Sequence, residues 1–100
     1  MEVTITKEDN CTTAVLAGRL DTPAALEAAP GFDALKEEAG GTIVLDCSGL
    51  TYISSSGLRL FLSLRKAAAE KGGRLVVRSI GDDIRAVFMM TGFLNLFEIQ

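Results

Sequence analysis

The chain of 100 residues contains no histidine and no tryptophan, a single tyrosine, two prolines and two cysteines. Without an imidazole there is no Ser/His/Asp or Cys/His catalytic arrangement, no imidazole base and no imidazole metal ligand. Basic charge is also in deficit: ten Lys and Arg stand against thirteen Asp and Glu, giving a net charge of −3 and a pI near 4.8. Nucleic-acid binding rests on a basic patch that releases counterions from phosphates, so neither DNA nor RNA is an expected partner. Cys11 and Cys47 are isolated, form no CxxC pair and sit in apolar or β-prone segments. They read as small buried hydrophobes in a reducing compartment. The N-terminus, MEVTITKEDN, lacks the basic start and apolar run of a signal peptide, and no window reaches the ~18 apolar residues of a membrane span. The expectation is a soluble cytoplasmic protein with no membrane partner.

What is present is the composition of one globular domain with one core: 48% apolar residues, 23% charged residues, and only twelve Gly and Pro together. The patterning alternates between period two and helical spacing. Glu2 to Lys7 and Cys11 to Gly18 read as strands joined by a tight polar turn at Glu8, Asp9 and Asn10, an antiparallel hairpin. Asp21 or Thr22 then caps a helix with Pro23 at its first position. Pro30 and Gly31 predict a break, followed by a second short helix from Asp33 to Ala39 that ends at Gly40 and Gly41. Thr42 to Cys47 (TIVLDC) reads as a central strand and Ser48 to Ser54 as a loop. The longest helix is predicted over Ser55 to Lys71, with Leu58, Phe61 and Leu62 on its apolar stripe and Gly72 and Gly73 closing it. A strand at Arg74–Arg78, a helix at Asp82–Thr91 with Ile84, Val87 and Phe88 inward, and a final strand within Leu96 to Ile99 complete the chain. Parallel strands joined by helical crossovers after a hairpin give an α/β fold with a mixed sheet. In such sheets a ligand or partner site lies beyond the carboxyl ends of the parallel strands.

One segment meets that condition with unusual chemistry: Leu45 to Leu60, LDCSGLTYISSSGLRL, where three serines and a glycine stand at the mouth of the longest helix. A serine there caps free backbone N–H groups, a contribution of about 1 kcal/mol, and this accounts for Ser54 or Ser55. It accounts less well for three serines in a row followed by Gly57, since glycine in a first turn weakens a helix by up to ~1 kcal/mol relative to alanine, and close backbone access is a reason for it. A phosphate would need such access. The helix N-terminus offers unpaired donors and a partial positive charge, and phosphoserine brings nearly two negative charges and three acceptor oxygens. Capping and phosphate carriage both remain open on spacing alone.

The run VLDCSGLTYISSSGLRLFL, followed by GGRLVV and DDIRAVFMMTGFLNLFEI and preceded by GRLDT at Gly18 to Thr22, resembles the STAS domain family, in particular its bacterial anti-sigma-factor antagonists. The likeness covers nearly the whole chain. It implies that the serine just before the glycine, Ser56, is phosphorylated by a partner anti-sigma factor acting as a serine kinase. It further implies that the unmodified protein binds that kinase and frees a sigma factor, and that a phosphatase restores it. Asp21, Thr22, Ser54, Ser55, Gly57, Leu58 and Arg59 then become partner-binding candidates. Asp21 matches an acidic family position near the phosphoacceptor, and the cap of the Pro23 helix is its local role. Ser54 stands where many family members carry aspartate, which removes one negative charge. Leu58 reads either as core or as contact, and Arg59 either as a partner-pairing or as a solvated charge.

Other chemistries lack their residues. An esterase elbow needs glycine two places on either side of its serine, whereas Ser55 has Ile53 and Gly57 and no histidine to activate it. GxxxxGK[ST] and GxGxxG are both absent. Asp82 and Asp83 read as first-turn helix acids, so no metal and no cofactor is expected, and no catalysis. Met89, Met90, Thr91, Gly92 and Phe93 read as a helix end capped by Gly92 with Phe93 in the core, or as an adaptable contact surface. Besides the phosphorylated switch, a second function remains open: a non-catalytic STAS scaffold or accessory subunit of a stress-sensing or lipid-transport complex, with the serines serving as a cap.

Overall fold

The protein is described over all 100 residues by a computed structural model. Its elements run β1 (Glu2–Glu8), β2 (Cys11–Leu20), α1 (Thr22–Glu37), β3 (Thr42–Ile53), α2 (Ser55–Lys71), β4 (Arg74–Arg78), α3 (Asp82–Thr91), α4 (Phe93–Leu96) and β5 (Glu98–Ile99). The strands form one sheet in sequence order, with β1 antiparallel to β2 and all later pairs parallel. This is the mixed α/β architecture that the sequence patterning predicts. The hairpin turns through Asp9, whose φ of 54° is one of the left-handed conformations that Asp tolerates better than most residues.

Alternate strand positions Ala14 and Leu16, Ile43, Leu45 and Cys47, and Leu75 and Val77 join one core cluster with residues of all four helices. The helices therefore share one face of the sheet. The hub of that core is Phe61 of α2, whose ring centroid lies 5.9 Å from Phe32, 6.1 Å from Phe88 and 6.2 Å from Phe97. With Phe93, these are all five phenylalanines of the chain, gathered from α1, α2, α3 and the C-terminal segment. Gly92 ends α3 in a left-handed conformation and Phe93 is buried behind it. Cys47 is buried as read, which pushes its thiol up to about 12, and Cys11 is half-buried.

Four features of the fold differ from the sequence expectation, each for a physical reason. First, α1 is continuous: Pro30 lies inside it rather than ending it. Pro30 cannot donate to the Leu26 carbonyl, a cost of about 3 kcal/mol in an isolated helix. Ala24, Ala25, Ala28, Phe32 and Leu35 bury one stripe on both sides of the proline and hold the two turns in line. Second, β3 runs to Ile53 instead of stopping at Cys47. Its pairing with β2 shifts register twice, so that β3 spends twelve residues against ten of β2. These bulges break the period-two pattern, and the β3 positions that join the core cluster become Ile43, Leu45, Cys47, Leu50 and Ile53. Third, the predicted last strand opens as the helical turn α4 and pairs only at Glu98 and Ile99. Fourth, Leu62 is not core: it is 38% exposed, and the buried face of α2 is Gly57, Phe61, Leu64 and Ala68.

The first bulge carries its own electrostatics. Asp46 accepts the Ser48 N–H at 3.0 Å, and the Arg78 guanidinium lies 3.3 Å from its other oxygen. The Ser48 backbone bond, aided by Arg78, holds the Asp46 carboxyl below the usual carboxylate range.

Two measurements test these assignments. By circular dichroism in urea, Leu64→Asp fails to fold because it buries an unpaired charge, whereas Leu62→Asp retains the native transition within about 1 kcal/mol. Asp46→Ala lowers stability by roughly 1 kcal/mol at pH 7 through loss of the Ser48 bond. Because the folded-state carboxyl is depressed, that contribution is present above its unfolded value near ~3.9 and lost as pH falls further, so parent and variant converge in acid.

Candidate functional site

The parallel register places Leu20 opposite Ile53. Both strands therefore run out at the same edge, and the helices that follow them start side by side. Asp21 caps α1, its carboxylate accepting the Ala24 N–H at 3.0 Å. Thr22 is the first helical residue and Pro23 the second, one place later than the sequence reading. Ser54 caps α2, its hydroxyl accepting the Gly57 N–H at 3.2 Å, while its own N–H donates to the Leu20 carbonyl at 2.9 Å. That last bond ties the end of β2 to the start of α2 and fixes the distance between the two helix mouths.

Ser54 and Gly57 are thus explained by local structure. Gly57 is buried, and a Cβ there would stand 2.8 Å from Cγ of Leu20 and 2.9 Å from Cγ1 of Ile53. The close approach that glycine allows is to the protein's own core, not to a ligand. Leu58 is half-buried and packs against the core cluster. Of the three serines, Ser54 alone has a hydroxyl bonded within the chain; Ser55 is exposed and Ser56 half-buried.

Ser56 lies on the wall of a groove of about 210 Å³ between the first halves of α1 and α2. Thr22, Ala25, Leu26 and Ala29 form the α1 wall; Ser56, Arg59 and Leu60 form the α2 wall. The groove is mostly apolar, and its one charged lining group is Arg59, which takes part in none of the chain's four ion pairs. Leu26 stands out at 76% exposure. An exposed leucine beside a neutral hydroxyl and an unpaired guanidinium is a surface suited to a protein partner with an apolar anchor and a carboxylate. At the neighbouring strand ends, the Arg19 guanidinium stacks over the Tyr52 ring at 4.3 Å.

The structure thus brings Thr22, Ser56 and Arg59 onto one groove, with Ser55 exposed next to it. Asp21 and Ser54 are the caps beneath, and Gly57 and Leu58 turn inward. Sequence reasoning missed Leu26, Ala29 and Leu60. Leu26 falls off the Ala24, Ala25, Ala28, Phe32 and Leu35 stripe of its own helix, and that misfit was the available signal. Elsewhere, Met89 and Met90 at the end of α3 are exposed. No group of three or more Cys, Asp and Glu residues is arranged to hold a metal, and no helix is long and apolar enough to cross a membrane.

Residues 3–98 match the family model described as Mlab, STAS domain. A candidate anti-sigma factor antagonist of Bordetella bronchiseptica, BtrV, is 32% identical over 99 residues, covering 99% of this chain and 85% of its own. Among solved structures, a candidate anti-sigma factor antagonist of Thermotoga maritima is similar at a TM-score of 0.87 and 19% identity, over 97% of this chain and 84% of that one. The Bacillus cell fate determinant SpoIIAA in its phosphorylated form is similar at a TM-score of 0.75 and 19% identity, over 99% and 91%. At these identities the structural likenesses establish the fold.

The seating of Gly57 predicts a measurable cost. Gly57→Ala gains up to ~1 kcal/mol of helix propensity but loses about 1–3 kcal/mol to overpacking, a net destabilisation of roughly 1–2 kcal/mol in urea titration. Combined with Leu20→Ala, the two changes cost less than their sum, because the second removes the Leu20 atoms that the new methyl meets.

Proposed function

This chain belongs to the STAS domain family, and on that premise we propose that it is an anti-sigma-factor antagonist whose docking face is the α1–α2 groove, switched by phosphorylation of Ser56. The observation that carries the reading is the division of labour in the serine run. Ser54 is engaged as the cap, whereas the Ser56 hydroxyl stands half-buried on the groove wall without a partner in the chain. The unmodified protein binds an anti-sigma factor through this surface and frees a sigma factor, and it acts by binding, not by catalysis. The anti-sigma factor is a serine kinase: the Ser56 oxygen forms a bond to the γ-phosphorus of ATP, the bond to ADP breaks, and the hydroxyl proton passes to a base of the kinase. A phosphatase hydrolyses the ester to restore the hydroxyl. These steps belong in the cytoplasm, where transcription is regulated.

The switch follows from desolvation. A neutral hydroxyl enters an apolar contact at little cost, but a phosphoserine carries close to two negative charges that the interface would have to strip of water. Each ~1.4 kcal/mol of that penalty weakens binding tenfold. One modification therefore separates bound from free without any change of fold.

A second reading, a non-catalytic accessory subunit with no regulated phosphorylation, is favoured by the cap and the packing at Ser54 and Gly57, which explain most of the SSSG run by themselves. The two are told apart by incubation with the cognate kinase and ATP, followed by mass spectrometry. A one-phosphate gain is expected that persists in Ser54→Ala and Ser55→Ala and is lost in Ser56→Ala. By calorimetry, Ser56→Asp weakens kinase binding by roughly tenfold or more. A gain that persists in Ser56→Ala, or equal affinity for Ser56→Asp, would remove the switch and leave the accessory-subunit reading.

A further inference from the structure

We infer that Arg59 is the intramolecular partner of the phosphate on Ser56, so that phosphorylation also withdraws the one positive charge the groove presents to a partner. The inference rests on Ser56 being the phosphoacceptor.

Three observations support it. Arg59 and Ser56 line the same groove wall, three residues apart on α2, the spacing at which helical side chains are neighbours. Long side chains on a helix lean toward its N-terminus, the direction in which Ser56 lies from Arg59. Arg59 has no carboxylate partner in the unmodified chain, and the facing α1 residues Thr22, Ala25, Leu26 and Ala29 carry no charge to compete for it. Two acids adjoin the α1 side of the groove in sequence: Asp21 has a carboxylate oxygen engaged by the Ala24 N–H, and Glu27 follows Leu26 outside the lining. Arg19 is stacked on Tyr52. Spacing alone would equally allow Ser55, four residues before Arg59, but Ser55 is exposed and lies outside the groove wall.

The consequence is a switch with two parts. Before modification, Arg59 is free to meet an acidic group of the partner at the groove mouth. Afterwards its planar donors are turned to the phosphate, which they can grip at two oxygens. The partner then loses an attractive contact as well as meeting a repulsive one.

The test installs phosphoserine at position 56 during synthesis, so that it needs no kinase, and follows its ³¹P resonance through the second ionisation near ~6. In the parent chain the midpoint is expected roughly 0.5 pH unit below that of the same phosphoprotein carrying Arg59→Gln, with Arg59→Lys in between. The helix mouth contributes equally to all three, so the difference isolates the guanidinium. Phosphoserine placed instead at position 55 is expected to titrate alike with Arg59 and with Arg59→Gln. Equal midpoints for parent and Arg59→Gln at position 56, or a shift confined to position 55, would overturn the inference. Failure of Ser56 as the kinase target shows itself only in the mass assay described above and leaves this titration to judge Arg59 alone.

Discussion

The packing of Phe61 at the centre of five phenylalanine rings is the interaction on which the rest of this structure depends. Its ring meets Phe32 from α1, Phe88 from α3 and Phe97 from the C-terminal segment, so α2 cannot move without disturbing all three. Once that ring is seated, the ends of α2 have little freedom. At one end Gly57 lies against Leu20 and Ile53, and at the other a Cβ on Gly73 would fall 1.8 Å from the Ala39 carbonyl oxygen. Both ends favour a residue without a side chain, because backbone atoms at Gly73 and core side chains at Gly57 fill the space where a Cβ would go. The serine run is held at a fixed height above the sheet as a result.

That rigidity bears on function. A docking face that switches by charge alone needs no moving part: what changes is the free energy of desolvating one side chain. The groove is suited to this because it joins an exposed leucine, a neutral hydroxyl and a single unpaired guanidinium in a small area. Two caps, Asp21 and Ser54, occupy the neighbouring helix mouths beneath it. Ser54 does the work of a cap without a charge, since a hydroxyl oxygen accepts the Gly57 N–H as a carboxylate would. What the serine omits is the charge a carboxylate would bring, so the phosphate proposed for Ser56 would have one less neighbour to repel it.

The strands and helices whose signals are local were legible in the sequence. α2, β4 and α3 begin and end where caps, glycines and apolar spacing put them. The bulges of β3 were not legible, because each inserts a residue whose effect is visible only against the partner strand. Pro30 reads as a breaker in any single sequence, yet the buried stripe around it outweighs the lost hydrogen bond. Leu62 shows the same limit in reverse: its spacing fits an apolar stripe, but nothing in the fold covers it fully. For the candidate site, the serine run and Arg59 were found from the motif, whereas the α1 wall of the groove was not, since Leu26 and Ala29 become its lining only when two helices lie side by side.

The sequence by itself determined the alternation of strands and helices, the presence of a cap at each of the two helix mouths and the resemblance to a family, because these rest on residues close together along the chain. Only the tertiary structure decided which serine is consumed by capping, that Gly57 serves core packing, and that Ser56, Arg59 and Leu26 share one groove. Those outcomes depend on the register of β2 against β3 and on the depth at which Phe61 anchors α2, and both are contacts between residues far apart in sequence.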